Sequence, residues 1–282
     1  MSKTDDIRSP ISFDPVDVKG DLDTPSASGS LLRGLSLIEA LSEAPTPLLL
    51  VELAERVRLD SSTVYRLLQT LCTEGFAVRL NSKRYCLGPR AIRLLSNYHP
   101  INCLCSEAGT ALRELRDRLG ETVMLIIFVG TQRVIVAVIQ GREILSPSYE
   151  TWLRTPIHGS ASGKIMLMQL NAKRQEELLG PPPYRAATEF TVNGKEALSA
   201  QLDLARTRGF AVARDDALVG MTAIAAPITW SGHSIGCIAI VGNSSRLGPE
   251  IEGAVGMALQ ESATLIVNAA PSVRMLVNFL GA

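Results

Sequence analysis

The sequence predicts an α+β protein of two domains, in which a small helical module precedes a larger domain built on an antiparallel sheet. Short amphipathic helices followed by a β-hairpin occupy the first part, and strands and helices of mixed order fill the rest. A chain of 282 residues can hold more than one hydrophobic core. Its 46% hydrophobic and 20% charged residues are typical of a globular protein.

The N-terminal residues 1–29 are rich in Asp, Ser and Pro, which predicts a mobile acidic tail. A first helix is predicted over residues 32–42, with Pro45 and Pro47 preventing its continuation. Its apolar side chains recur at helical spacing and would form one side of a small core: Leu35, Leu37, Ile38 and Leu41.

Two further helices, over residues 50–57 and 61–74, are joined by a link of only three residues, which is typical of a helix-turn-helix. The second begins after Asp60 or Ser61, either of which can cap it. One face of this second helix carries Val64 and Leu68, and the opposite face is polar. Hydroxyl, guanidinium and amide groups are the groups that contact phosphates and base edges. The predicted DNA contacts, including two residues of a following turn, are Ser61, Ser62, Thr63, Tyr65, Arg66, Gln69, Lys83 and Arg84.

A β-hairpin is predicted after Gly75, with strands over residues 76–80 and 85–87 and a polar turn over residues 81–84. It is a candidate wing. Residues 58–93 contain seven basic and two acidic residues, a balance of plus five within a chain of net charge zero. This basic stripe favours double-stranded DNA as a partner.

Each of these features also occurs on ordinary proteins, because a polar helix face or a run of charges is often only a solvated surface. The ordered set of three helices, wing and basic stripe favours DNA binding. An alternative remains in which the chain senses a small molecule and acts through protein-protein contacts.

The larger domain is predicted from a second series of elements. A helix over residues 90–98 leads away from the hairpin, and a longer one follows over residues 102–119. Strands over residues 122–129 and 133–140 are joined by a short turn and so begin an antiparallel sheet. Further helices are predicted over 163–169, over 194–208 and from about 249, with strands over 210–214, 223–229 and 235–241. The pattern indicates an α+β sensor-like domain.

Several classes of protein are disfavoured by the same sequence. No apolar run reaches the ~20 residues of a membrane helix and no signal peptide is visible, so a cytoplasmic protein without membrane contact is expected. Five cysteines without CxxC spacing and three histidines predict neither a metal site nor a cofactor. The Gly159–Lys164 segment lacks P-loop spacing, and no nucleophile elbow occurs. We therefore predict no catalytic residues, with a hydrolase as a distant alternative.

From about Leu32 onwards the chain resembles the IclR family of bacterial transcription regulators. The resemblance rests on three motifs in order: Ser62-Thr-Val-Tyr-Arg-Leu-Leu-Gln-Thr-Leu71 with its preceding helix, Pro156-Ile-His-Gly-Ser-Ala-Ser-Gly-Lys164, and Gly220-Met-Thr-Ala-Ile-Ala-Ala-Pro-Ile228. It implies a winged helix-turn-helix, a linker helix and a GAF-like effector-binding domain, assembled as a homodimer or dimer of dimers on a palindromic operator. The expected divisions are a tail (1–29), the DNA-binding domain (30–88), the linker helix (89–101), the effector domain (102–272) and a C-terminal tail (273–282).

The loop over residues 156–164 is predicted to hold the polar end of an effector. Small residues that open a helix present backbone N–H groups to an anion, and the resemblance places the amides of Ala161 and Ser162 beside the ligand. Alternatively, small residues here serve only to let helix and sheet approach closely.

Departures from the family pattern predict the class of effector. Ala213, Ala223, Ala239 and Val241 stand where relatives that sense small keto acids carry polar or acidic side chains. Fewer hydrogen-bonding groups and smaller side chains favour a larger apolar ligand, so an aromatic or other ring-bearing effector is expected. Ile144, Thr155, Met221 and Val241 would form its walls. The expected function is a ligand-responsive regulator of a catabolic operon, with repression favoured by the habit of the family.

Overall fold

The computed structural model describes residues 27–44, 46–92, 99–142 and 155–280. They divide between His99 and Pro100 into two compact units, close to the expected start of the effector domain at residue 102. Most of the predicted N-terminal tail, the middle of the predicted linker helix and Ile144 lie outside the described residues.

The first unit is the predicted three-helix module with a β-hairpin. Its elements are α1 (Ala27–Glu43), α2 (Leu50–Val57), α3 (Ser61–Thr73), β1 (Ala77–Arg79), β2 (Tyr85–Leu87) and the short α4 (Pro89–Ile92). Leu37, Leu53, Val64 and Leu68 are fully buried between the helices. Their burial at helical spacing supplies the apolar area that short helices need for stability.

Two expectations for α1 were wrong. The helix begins at Ala27, so the last residues of the predicted tail are helical. Leu35, which was predicted to be in the core, is 47% exposed, whereas Ala40 is buried. The core-facing stripe of α1 is therefore rotated toward Leu37, Ala40 and Leu41.

The second unit is built on a five-stranded antiparallel sheet with the strand order β4-β3-β7-β6-β5. Its strands are β3 (Thr122–Val129), β4 (Gln132–Ile139), β5 (Ala211–Arg214), β6 (Met221–Trp230) and β7 (His233–Asn243). Its helices are α5 (Pro100–Leu119), α6 (Ala161–Leu167), α7 (Ala172–Leu179), α8 (Lys195–Arg208), α9 (Glu252–Ala269) and α10 (Ser272–Leu280).

The two faces of this sheet pack against different helices. Alternate residues of the strands form a large core with α5, α9 and α10, and the other residues form a second core with α6. The predicted C-terminal tail from residue 273 is instead helix α10. Val273 and Leu276 of α10 are fully buried in the large core, which explains why this segment is ordered.

Neither a membrane span nor a metal site is found in the part of the chain that the structure describes. None of its helices is both long and apolar enough to cross a bilayer. Within the same residues, no group of three or more His, Cys, Asp or Glu side chains could hold a metal ion.

Candidate functional site

Helix α3 presents an exposed polar face opposite its buried side. Ser61, Ser62, Tyr65, Arg66 and Gln69 are all exposed on this helix. The amide of Gln69 donates a hydrogen bond of 2.9 Å to Tyr65 Oη, which holds the two side chains together on the surface. The structure thus brings most of the predicted DNA contacts to one face.

The start of α3 is fixed by Asp60, whose carboxylate accepts bonds from Ser62 Oγ (2.6 Å) and Thr63 N (2.9 Å). These bonds hold the pKa of Asp60 far below its usual value, because they stabilise the charged form. Thr63 itself is half-buried. The predicted contacts at positions 62 and 63 therefore also serve to cap the helix.

The two basic residues of the wing are placed differently. Lys83 is exposed in the turn and adopts a left-handed backbone conformation with φ 61°. Arg84 points back to α2, where its guanidinium donates to the Pro47 carbonyl at 2.8 Å and to Glu52 at 3.1 Å. Glu52 also accepts a bond from Leu49 N, which is the main reason why its pKa is lowered. Arg84 thus links the β-hairpin to α2 and the residues before it. A contact of Arg84 with DNA stays a prediction.

The predicted lining of the effector site comes together on the α6 side of the sheet. Ala213 pairs with Ala223, and Ala223 pairs with Val241, so these three small residues form a row across β5, β6 and β7. Ala239 lies in the neighbouring row, beside Ala225 and Met124. Met221 and Ala223 pack against the same core, which also includes Ala161 of α6.

The loop that opens α6 is built by close packing. Ser160 caps the helix by accepting a bond from Gly163 N at 3.1 Å, and Ser162 is fully buried. A Cβ atom on Gly163 would lie 1.8 Å from the carbonyl oxygen of Ile157, so only glycine fits there. Glycine is therefore required at position 163 by the close packing of α6 on its own preceding loop, and the alternative of a close approach between helix and sheet stays a hypothesis. The N–H groups of Ala161 and Ser162, in the first turn, have no acceptor inside the helix.

Buried polar side chains behind α6 have structural partners. Lys164 Nζ lies 2.9 Å from Asp216 Oδ2 and donates to the Val212 carbonyl. Burial lowers the pKa of Lys164, although Asp216 opposes the shift. His158 Nε2 lies 3.1 Å from the carbonyl of Arg185, and burial also lowers its pKa. These groups link α6 to its surroundings.

Sequence reasoning missed Arg133, a further charged side chain that contacts this loop. It lies on β4, opposite Phe128, and its guanidinium donates to Ser160 Oγ and to the buried carbonyl of Thr155. A single arginine at the start of a strand gives no sequence signal of this role, because the pairing with residues 155–162 exists only in the fold.

The first unit is a helix-turn-helix with an exposed polar face on its second helix. The second unit is a sheet domain in which small residues lie beside a buried loop. Together they define a DNA-binding regulator with a sensor domain. Comparison with known protein families identifies the family of regulators to which the chain belongs. The model "Bacterial transcriptional regulator IclR C-terminal" matches residues 101–268, and "IclR helix-turn-helix domain" matches residues 30–80. The chain belongs to the IclR family, whose members are transcription regulators and not enzymes.

Individual relatives agree with this assignment. The probable transcriptional regulator SauR of Cupriavidus necator is 30% identical over 220 residues, which cover 76% of this chain and 85% of SauR. The transcriptional repressor IclR of Escherichia coli is 28% identical over 202 residues, covering 71% of this chain and 74% of the repressor. An IclR homolog from Microbacterium hydrocarbonoxydans, solved with 4-hydroxybenzoate, has the same fold with a TM-score of 0.70 at 23% identity, over 87% and 99% of the two chains.

Proposed function

We propose that this regulator is a repressor of a catabolic operon and that an aromatic or other ring-bearing small molecule is its effector. The observation that carries the proposal is the row of Ala213, Ala223 and Val241, three apolar side chains on the face toward α6, which ends at Thr122 of β3, whose hydroxyl already accepts a bond from Gly141 N. A small polar acid would find few partners along this row, whereas a ring would gain apolar contact.

Two relatives support the proposal. The E. coli relative is a repressor, and the homolog from Microbacterium hydrocarbonoxydans was solved with an aromatic acid. The effector site would consist of the row, its neighbours and the loop: Ile144, Thr155, Ala161, Ser162, Ala213, Met221, Ala223, Ala239 and Val241.

The protein would bind a palindromic operator as a homodimer or dimer of dimers. Phosphates and base edges would be contacted by the exposed side chains of α3 and the tip of the wing. Effector binding would change the relative placement of paired recognition helices and so the half-site spacing they can read.

A thermal-shift screen of the purified protein tests the effector class. The panel contains aromatic acids, including 4-hydroxybenzoate, and the keto acids glyoxylate and pyruvate. A ligand at ~100 times its dissociation constant stabilises the folded state by about 2.7 kcal/mol. We expect stabilisation by ring compounds. Stabilisation by the keto acids alone would show that the interpretation of the small-residue row is wrong.

Charge reversal tests DNA binding. After selection of an operator from a random duplex library, Arg66→Glu and Lys83→Glu should each weaken binding strongly, and the parent should show a steep salt dependence. Arg174→Glu, an equal charge change at an exposed site of α7, is the matched control. Unchanged binding by both α3 and wing variants would favour a sensor that acts through protein-protein contacts.

A further inference from the structure

Arg133 is a charged residue placed at the proposed effector site. It is the second residue of β4 and pairs with Phe128, whose side chain belongs to the core between the sheet and α6. Side chains that are directly opposite on paired strands share a face of the sheet. The guanidinium of Arg133 therefore extends over the same face as Ala213, Ala223 and Val241.

The acceptors of Arg133 are all neutral. Nη1 donates to Ser160 Oγ and lies 3.4 Å from Ser162 Oγ, and Nη2 donates to the Thr155 carbonyl at 3.2 Å. No carboxylate in the described ranges forms an ion pair with it. Its titratable neighbour Cys237 does not compensate the charge, because burial raises the pKa of that thiol and keeps it neutral.

The surroundings of the Arg133 guanidinium disfavour its charged form. Protein atoms crowd the guanidinium although part of the residue remains accessible, and this burial lowers the pKa of Arg133 to about 10. Ser160 Oγ and Ser162 Oγ place the guanidinium beside the first turn of α6. Within the described residues the guanidinium is desolvated against neutral acceptors only, and such desolvation of a charge costs free energy. An anion beside Arg133 would remove this cost.

We infer that Arg133 makes the effector site selective for a carboxylate-bearing ligand, whose anionic group is held by the guanidinium beside Ser160 and Ser162. The inference rests on the proposed effector site and adds the charge of the ligand to it. The planar guanidinium suits a carboxylate because two parallel N–H groups can bind its two oxygens. The accessible part of Arg133 leaves room for that contact.

Matched pairs of ligands test this inference on the full-length protein. Calorimetric titration would compare benzoate with benzamide and 4-hydroxybenzoate with 4-hydroxybenzamide, and would include pyruvate as an acid without a ring. The wild type should bind each acid more tightly than its amide. Arg133→Met should lose at least about 30-fold in affinity for the acids, the factor that corresponds to about 2 kcal/mol, and should bind the amides as the wild type does.

Two further variants separate charge from folding. Arg133→Lys keeps the positive charge without the planar fork and should keep the preference for acids at reduced affinity. Arg174→Met removes an exposed arginine of α7 and should leave every titration unchanged. Without ligand, Arg133→Met should lower the Tm moderately, because Ser160 Oγ and the Thr155 carbonyl lose their donor, so all titrations are run well below the Tm of each variant. If Arg133 is a purely structural contact, Arg133→Met should instead weaken the binding of acids and amides alike.

The outcomes separate this inference from the proposed effector class. Equal binding of acids and amides by the wild type would overturn the inference and leave a ring-bearing effector in place. Binding of pyruvate alone, lost in Arg133→Met, would support the inference and overturn the ring-bearing class. Unchanged affinity of Arg133→Met for the acids, or no binding of any acid, would overturn the inference.

Discussion

Lys83 and Arg84 are adjacent cations in the wing, yet the fold uses them differently. Lys83 is exposed at the turn, whereas Arg84 bonds to the Pro47 carbonyl and to Glu52 of α2. A sequence reading assigns both to DNA because both are basic residues in a turn. Only the backbone of the turn decides which of them faces outward.

Alanine substitution separates these two roles. Lys83→Ala should weaken operator binding, reduce its salt dependence by about one ion and leave the Tm unchanged. Arg84→Ala should lower the Tm by a few degrees, because the Pro47 carbonyl and Glu52 lose their donor. Thermal denaturation and fluorescence anisotropy would measure the two effects. A Tm loss confined to Lys83→Ala would contradict the assignment.

His158 gives the second prediction at this scale, a pH dependence of stability. Burial lowers the pKa of His158 in the folded protein, so below about pH 6.5 the unfolded chain binds a proton that the folded chain does not. Its contribution to stability is therefore full above about pH 6.5 and is lost as the pH falls toward the lowered pKa.

Urea denaturation from about pH 7 to about pH 5 would measure this contribution. The wild type should lose stability more steeply than His158→Gln, whose amide can still donate to the Arg185 carbonyl. The other two histidines and all carboxylates are common to both proteins, so the difference between the slopes isolates His158. Parallel slopes would rule out the buried histidine as their cause.

At the scale of elements, α6 depends on an ion pair behind it. Lys164 of α6 and Asp216, just after β5, are both nearly inaccessible to solvent and lie 2.9 Å apart. Lys195 of α8 and Glu176 of α7 also pair a lysine with a carboxylate, but this pair is exposed. The two pairs differ in burial, which decides how much each contributes to stability.

Lys164→Met should destabilise the protein by about 3–5 kcal/mol, because it leaves the Asp216 carboxylate buried without its cation. Lys195→Met should hardly change the denaturation midpoint, because solvent screens its partner. Chemical denaturation of both variants would test the contrast. Similar losses in both variants would mean that burial does not govern these pairs.

Much of the element order could be predicted from the sequence, for identifiable physical reasons. Strand β3 was predicted at its observed bounds, Thr122–Val129, because both of its faces are buried and the sequence is therefore a continuous apolar run. Helix α10 was missed because a proline, here Pro271, usually marks the end of a helix, and the residues after it were therefore assigned to a tail. The inward turn of Arg84 and the position of Arg133 over the sheet depend on contacts between distant residues, which no local pattern encodes.

For the whole molecule, charge is distributed unevenly although the total is zero. Residues 58–93 carry a balance of plus five, so the remaining chain carries the opposite balance. This distribution lets one segment attract DNA without making the whole protein adhere to polyanions.

Thermodynamic linkage gives the prediction for the whole molecule. If a ring-bearing acid weakens operator binding by some factor, saturating operator must weaken binding of that acid by the same factor, typically about 5-fold to 150-fold. Titration of the acid with and without operator duplex would measure it. Arg66→Glu, expected to bind the acid but not DNA, is the control. Equal affinities in both titrations, alongside acid-sensitive DNA binding, would exclude a two-site equilibrium.

The row of Ala213, Ala223 and Val241 has an evolutionary consequence. These residues lie on three strands, and their side chains take no part in the backbone pairing of the sheet. Each can therefore be replaced without loss of a ladder hydrogen bond, within the range of sizes that the core with α6 accepts. If the row lines the effector site as proposed, descendants of this gene could exchange one effector for another through a few point mutations, and a biosensor designer could follow the same route by saturating only these three codons.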